Sequence, residues 1–247
     1  MKILFYELKR IRQGRMFFIT LIGNLIYAAV WMYQVGISGI GGTAPFSMWT
    51  YLAFCGAMLP AGILTVLLLQ ANYYSSQQQK ADILPLAASS SNGLLILVRV
   101  IALTVCFLLI DLLEFWIYAL PNLLFFGKTA VLGYGFAGLL HSIPAVVAVL
   151  AAGGLTGKLN GRLVYVLAVL MFAAAAVQIA APYDFYGNAF FSQYPLSLPA
   201  AADGEPVFAV HPAWVCTRVL YLAAGIAVLI LCVCRSGKPS LDRAETA

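Results

Sequence analysis

Four ionisable side chains inside long apolar stretches are the groups in this sequence best suited to chemistry. Asp111 and Glu114 are three residues apart, so they share one face of a helix. At about 1.5 Å per residue, Glu114 lies about 9 Å and Asp111 about 13 Å from the outer end of its segment. The same measure places Arg218 about 8 Å and His141 about 15 Å deep. Because charged groups inside a membrane usually have a partner, we expect Glu114 to pair with Arg218 and Asp111 to approach His141 or a water-filled cavity.

Two interpretations of these four residues are open. One is a structural set of ion pairs, in which each charge satisfies another inside a helix bundle. The other is a proton relay or cation site, formed by Asp111, Glu114 and His141 in an ATP-independent secondary transporter or channel. Broken helices in two matching halves are typical of many secondary transporters, and the sequence has no such internal symmetry.

No catalytic or nucleotide-binding motif is complete in this sequence. Residues 153–159, GGLTGKL, resemble a phosphate-binding loop but have Ala152 in place of its first glycine and Leu159 in place of its final hydroxyl. We interpret them as a flexible basic turn. The histidines, His141 and His211, belong to no zinc-protease motif, and no G-x-S-x-G elbow is present. The five cysteines fall in predicted helices and are interpreted as small apolar residues, without a disulfide or a metal. We therefore expect neither enzymatic activity nor a cofactor in this chain.

The composition excludes a water-soluble protein. Of the 247 residues, 63% are hydrophobic and only 9% are charged. Soluble globular chains are about 25% charged. The formal net charge of +5 is interpreted as a signal of membrane topology rather than of nucleic-acid binding. The chain is therefore predicted to be a polytopic membrane protein.

Six apolar segments are long enough for membrane-spanning helices, each of which needs about 20 residues. They cover residues 16–35, 49–71, 94–120, 130–152, 163–181 and 213–234. The basic segment 1–15 has apolar residues at helical spacing and is predicted to be an amphipathic elbow helix in the membrane interface. Residues 235–247 are predicted to form a tail. The expected fold is thus all-α, with one transmembrane domain over residues 1–247.

Lysine and arginine fall mostly on one side of the predicted membrane. With a cytoplasmic N-terminus, twelve of the fourteen lie on the cytoplasmic side, as the positive-inside rule requires. Both termini are therefore predicted to be cytoplasmic. Two connections are long: residues 72–93 on the cytoplasmic side, where a short helix fits 77–84, and residues 182–212 on the outer side. The aromatic density of the outer connection is typical of interfacial or re-entrant segments.

Three stretches of the sequence resemble permease subunits of the type-2 ABC transporter family. They are YELKRIRQGR before the first span, KADILPLAASSSNGLLILVR after the second, and HPAWVCTRVLYLAAG at the start of the sixth. The similarity is to six-helix members associated with lantibiotic or bacteriocin immunity and with export of peptides or drugs. It implies an N-terminal elbow helix, short re-entrant helices before the last span, and a substrate route lined by the first, second and fifth spans.

The resemblance also implies partners. In such permeases, the connection after the second span is a coupling helix that touches a separate ATPase subunit, and that subunit binds ATP and Mg²⁺. Here the coupling residues would be Gln77, Gln78, Gln79, Lys80, Asp82 and Leu84. A second permease copy or a sister permease would complete the path in a bacterial cytoplasmic membrane, with lipid but no nucleic acid as a partner. The expected function is export of an amphipathic substrate, driven by ATP hydrolysis in the partner subunit.

Overall fold

The computed structural model describes residues 2–40, 42–75, 92–127, 129–177, 183–199 and 206–236, and the regular elements within them are helices. The α-helices in these ranges are α1 Lys2–Gln13, α2 Arg15–Trp31, α3 Met48–Asn72, α4 Asn92–Pro121, α5 Tyr134–Leu159, α6 Gly161–Ala174, α7 Asn188–Gln193 and α8 Pro212–Ser236. π-Helical turns extend α2 over Met32–Ile37 and α4 over Asn122–Phe126. The predicted all-α class is confirmed.

Five helical stretches are long and apolar enough to cross a membrane: Arg15–Ile37, Met48–Asn72, Gly93–Phe126, Val131–Leu159 and Pro212–Cys234. The chain is therefore a multi-pass membrane protein, as its composition predicts. The fifth predicted span, residues 163–181, overlaps α6, which has 14 residues. Such a helix is about 21 Å long. Residues 178–182 lie outside the described ranges, so the count of six spans stays a prediction.

α3 is the central helix of the bundle. In its most apolar stretch 89% of the residues are buried, against 17% in the corresponding stretches of α2 and α8. α3 packs against α2, α4, α5, α6 and α7, and the small residues along it let these neighbours approach closely. α2 and α8 instead expose isoleucine, leucine and valine side chains, as expected of helices that face lipid.

α5 continues through residues 153–159, which are helical. The prediction of a flexible turn there was wrong. A Cβ at Gly153 would overlap the Gln70 side chain, and a Cβ at Gly157 would overlap the Tyr74 ring. Gln70 Nε2 also donates to a backbone carbonyl of α5 at 2.9 Å. The glycines therefore serve close packing of α3 against α5, in which their missing side chains matter more than their flexibility.

α1 confirms the helix predicted for residues 1–15. Gly14 joins it to α2, and it packs against α4 and α2. Ile11 lies in the hydrophobic core, whereas Lys9 and Arg12 are exposed. This division into an apolar and a basic face is the one expected of an amphipathic helix at a membrane interface.

Residues 183–199, which we call the outer segment, fold back onto the bundle. The segment contains α7 and a 3₁₀ turn over Tyr194–Ser197, and α7 packs against α3. Phe190 and Phe191 are 1% and 0% exposed. A Cβ at Gly56 of α3 would lie 2.9 Å from backbone atoms of the outer segment, so a larger residue does not fit there without a shift. The short helix expected before the last span is therefore present.

Candidate functional site

Asp111 and Glu114, which we call the acidic pair, lie on one face of α4 beside α3. Glu114 is 5% exposed, and its Oε1 has no hydrogen-bond partner among the described residues. Asp111 is half-buried and lies close enough to Tyr51 and Cys55 of α3 to interact electrostatically with both. Two neighbouring carboxyl groups inside a membrane bundle can hold a proton or a cation. His141 lies in a different group, described below.

The predicted pairing of Glu114 with Arg218 was wrong. Arg218 instead donates from Nη1 to the Phe185 carbonyl at 2.5 Å and from Nη2 to the Asp184 carbonyl at 2.9 Å. Within the described part of the chain, Glu114 forms no ion pair. Counting along a helix gives the depth of a side chain but not the helix that it faces. The outer segment folds in and brings two carbonyl oxygens to Arg218.

A second group, the outer polar cluster, consists of His141, Asp184, Gly187, Trp214 and Arg218. The His141 ring is stacked on the Trp214 indole with 5.6 Å between centroids. The Arg218 guanidinium lies 4.8 Å from the centroid of the same indole, a cation–π contact. A Cβ at Gly187 would overlap His141 Cε1 and lie 3.3 Å from Arg218 Nη2. Of the four predicted site residues, His141 and Arg218 are therefore brought together here.

Asp184 orders the outer segment. Its carboxylate accepts from the backbone amides of Tyr186 at 3.0 Å, Ala189 at 2.7 Å and Phe190 at 3.2 Å. These amides belong to the turn before α7 and to its first turn, where a carboxylate is stabilising. Sequence reasoning did not select Asp184. An aspartate three residues before a glycine, here Gly187, is a turn signal that could have identified it.

Tyr186 connects the outer segment to α6. Its hydroxyl donates to the carbonyl of Met171, and its side chain is buried. Burial, with a smaller contribution from the Asp184 carboxylate, raises the pKa of the Tyr186 phenol to about 12. The phenol therefore keeps its proton at neutral pH and remains a donor.

A cavity of about 280 Å³ opens between α2, α3, the residues after α6, and the outer segment. We call it the outer cavity. Its apolar lining includes Trp31 of α2 and Pro60 of α3, and its polar lining includes Asn188 and Ser192 of the outer segment. α2 and α3 correspond to the first and second predicted spans, and residues 175–177 fall within the fifth. A cavity with both kinds of lining suits an amphipathic ligand.

A third group, the α1 charge cluster, consists of Glu7, Arg10, Tyr73 and Arg99. Glu7 is 0% exposed, with its Oε2 2.6 Å from Arg10 Nη2 and its Oε1 3.6 Å from Arg99 Nε. The two guanidinium groups lie 4.9 Å and 4.6 Å from the centroid of the Tyr73 ring. Burial, followed by the Glu7 carboxylate, raises the pKa of Tyr73, and the two arginines oppose this rise. The α1 charge cluster thus joins α1 to the end of α3 and the first turns of α4.

Sequence reasoning missed the α1 charge cluster because residues 1–15 were interpreted as a basic segment. Glu7 precedes Arg10 by three residues and Ile11 by four, so it lies on the apolar face of α1. An acid on that face was the available signal. The predicted coupling residues are Gln77, Gln78, Gln79, Lys80, Asp82 and Leu84, and all six lie outside the described ranges.

Within the described ranges, no group of three His, Cys, Asp or Glu side chains is arranged to hold a metal ion. Acidic and basic side chains buried in a helix bundle can bind protons, ions and polar groups. No protein-family model matches the chain, and neither a curated protein nor a solved structure is significantly similar to it. A functional conclusion must therefore come from the acidic pair, the outer polar cluster, the outer cavity and the α1 charge cluster.

Proposed function

We propose that this chain is the permease subunit of an ABC transporter and exports an amphipathic substrate, with energy from a separate ATPase subunit. The observation that carries the proposal is the α1 charge cluster. It ties α1 to the end of α3 and the start of α4, the two helices that border residues 76–91. A partner that moves this connection would therefore move three helices together, as a rigid body.

The outer cavity supports an export route. It lies between the first, second and fifth predicted spans, with apolar walls from the helices and polar groups from the outer segment. A lantibiotic-like or bacteriocin-like peptide, or an amphipathic drug, presents both kinds of surface. Ala57 borders the cavity from α3, and its small side chain leaves room for a ligand.

In this proposal the chain has six spans and both termini in the cytoplasm of a bacterium. A second copy, or a sister permease, completes the route at the interface between the two chains. Two ATPase subunits bind ATP and Mg²⁺ below the membrane, and their closure moves the coupling residues within 77–84. The α1 charge cluster then makes α1 part of the moving body instead of a passive anchor.

Purification of the tagged full chain in mild detergent tests the proposal. A nucleotide-binding subunit is expected to accompany it, and ATP hydrolysis by that subunit is expected to rise when both are placed in lipid vesicles. Arg99→Gln should lower the stimulated hydrolysis, because it breaks one link of the α1 charge cluster. Arg162→Gln is the matched control, since Arg162 is exposed at the start of α6. If no ATPase accompanies the chain and hydrolysis is never stimulated, the proposal fails.

A second candidate function is ATP-independent transport of protons or cations by the acidic pair. The buried Glu114 carboxyl with an unpartnered Oε1 favours it. The predicted relay also includes His141, whose ring is stacked on Trp214 in the outer polar cluster. Vesicles with a pH gradient, no ATP and a pH-sensitive dye distinguish the two functions. Proton flux that disappears in Glu114→Gln would support the second candidate, whereas transport that needs the ATPase and survives Glu114→Gln would support the permease.

A further inference from the structure

A groove of about 470 Å³ runs between α1, α2 and α4 on the outside of the bundle. This volume is within the range of small-molecule sites, about 300–1,000 Å³. The groove is large enough to be a binding site, and it opens on the outer surface of the bundle. Its lining includes Phe5, Lys9, Arg12, Phe17, Val105 and Leu109.

The groove has a basic rim and an apolar floor. Phe5, Lys9 and Arg12 follow one another at spacings of four and three residues, so they share one face of α1. Glu7 lies on a different face and is buried within the α1 charge cluster. Lys9 and Arg12 are exposed, and neither forms an ion pair with a residue that the structure describes. Two positive charges thus stand at the rim with no negative partner from the described chain.

The floor of the groove runs along α4 toward the middle of the membrane. Val105 and Leu109 follow Arg99 by six and ten residues, which is about 9 Å and about 15 Å along a helix. Arg99 lies at the level of α1, because it contacts Glu7. The apolar part of the groove therefore begins at the level of the interfacial helix and extends inward by the length of several methylene groups.

We propose that this groove binds an anionic phospholipid, with the phosphate between Lys9 and Arg12 and one acyl chain along Phe17, Val105 and Leu109. The charge of the rim matches the phosphate, and the apolar floor matches the chain. Free phosphate would use the rim alone and leave the floor without a function. The inference depends on the chain being a membrane protein and holds whether or not it is a permease.

The full chain purified in detergent tests the charge of the rim. It is mixed with equal amounts of phosphatidylglycerol and phosphatidylcholine that carry the same acyl chains, and bound lipid is counted by native mass spectrometry. The wild type is expected to prefer phosphatidylglycerol. The double variant Lys9→Gln, Arg12→Gln should lose about 30-fold of that preference, because each basic residue near an anionic surface contributes about fivefold.

Arg15→Gln combined with Arg162→Gln is the matched control, because both side chains are exposed and neither lines the groove. It is expected to keep the preference for phosphatidylglycerol. Circular dichroism and elution volume establish that each variant is folded. If the double variant at the rim does not fold, Lys9→Gln and Arg12→Gln are measured singly, and each should lose about fivefold.

A second pair of variants tests the apolar floor. Leu109 and Leu112 are both 50% exposed on α4, but only Leu109 lines the groove. Leu109→Trp should fill the groove and reduce bound phosphatidylglycerol, whereas Leu112→Trp should not. The proposal is overturned if the wild type binds both lipids equally, if the rim variants keep the preference, if both tryptophan variants behave alike, or if inorganic phosphate displaces the lipid.

Discussion

The α1 charge cluster and the outer polar cluster bury their charges in opposite ways. In the α1 charge cluster, the Glu7 carboxylate meets two guanidinium groups, so acid and base satisfy each other between helices. In the outer polar cluster, Asp184 accepts from backbone amides and Arg218 donates to backbone carbonyls of the same segment. The first arrangement fastens helices together, and the second gives a loop a fixed shape.

The two clusters should therefore respond differently to substitution. The Arg10 and Arg99 side chains are 19% and 15% exposed, and both guanidinium groups also contact the Tyr73 ring, a contact that does not depend on Glu7. Arg218 is 3% exposed, and its removal leaves acceptors that water reaches poorly. A buried polar group that loses its hydrogen-bond partner destabilises the fold by its full desolvation free energy. We expect larger losses of stability at the outer polar cluster than at the α1 charge cluster.

The largest effect is expected for Gly187→Ala, which should lower the free energy of unfolding by about 3 kcal/mol. A residue with a side chain at φ +77° is strained, and the new Cβ would overlap His141. The first cause contributes about 1–2 kcal/mol and the second about 1–3 kcal/mol. Thermal unfolding in detergent measures the change.

Gly42→Ala is the matched control for this variant. Gly42 has φ +75°, but nothing lies within 4 Å of a Cβ placed there. Gly42→Ala should therefore lower the free energy of unfolding only by the cost of the strained backbone, about 1–2 kcal/mol. Equal losses at the two glycines would show that the outer polar cluster is not tightly packed around position 187.

Arg218→Met should cost about 2 kcal/mol, because it removes two charge-assisted hydrogen bonds but keeps most of the apolar volume. Limited proteolysis should then cut within residues 183–199, which stay protected in the wild type. Arg218→Lys should restore only part of the protection, since an ammonium group lacks the two-pronged geometry of a guanidinium. Full protection in Arg218→Met would contradict the role given to Arg218.

Glu7→Gln should have a smaller effect on the free energy of unfolding, about 1 kcal/mol, because the amide oxygen of the new Gln can still accept from an arginine and both guanidinium groups keep the Tyr73 ring. Hydrogen exchange is expected to speed up in α1 and to stay unchanged in the outer segment. Arg12→Gln serves as the control, since Arg12 is exposed and outside the α1 charge cluster. A loss larger than that of Arg218→Met would reverse the comparison between the two clusters.

The smallest effect at neutral pH is expected for the ionisation of Tyr186. Its pKa is raised from 10.0 to about 12 in the folded state, so the folded state holds the phenol proton more tightly. The resulting stabilisation is complete below about pH 10 and is lost as the pH rises through about 12. Tyr186→Phe has no phenol to titrate, and its unfolding midpoint should fall less between about pH 9 and about pH 12. Parallel pH curves would mean that the phenol is not buried.

The sequence was sufficient to predict the class of the protein and most of its helices. The long apolar runs predict the five spanning helices within a few residues at most ends, because a membrane requires a continuous helix of fixed length. The exceptions are segments whose structure depends on packing against other helices. α5 runs on through residues 153–159, since Gly153 and Gly157 accept the side chains of Gln70 and Tyr74, a contact that the sequence of α5 does not reveal.

The candidate site was predicted less well than the fold. Asp111 and Glu114 share a face, as their spacing requires, but the partner of Arg218 came from a segment 33 residues earlier in the chain. Depth along a helix cannot predict which neighbouring element turns toward a side chain. Glu7 was overlooked because residues 1–15 contain five basic residues, although its position four residues before Ile11 places it on the buried face of α1.

The two hydrogen bonds between Arg218 and the outer segment also have a consequence for the order in which the chain folds. Chains emerge from the ribosome with the N-terminal part first, so Asp184 and Phe185 are made 34 and 33 residues before the side chain that orders them. Until α8 is inserted, their carbonyls lack this donor, and the outer segment is held on the bundle by its contacts with α3 and α6. Insertion of the last helix is then the step that completes assembly.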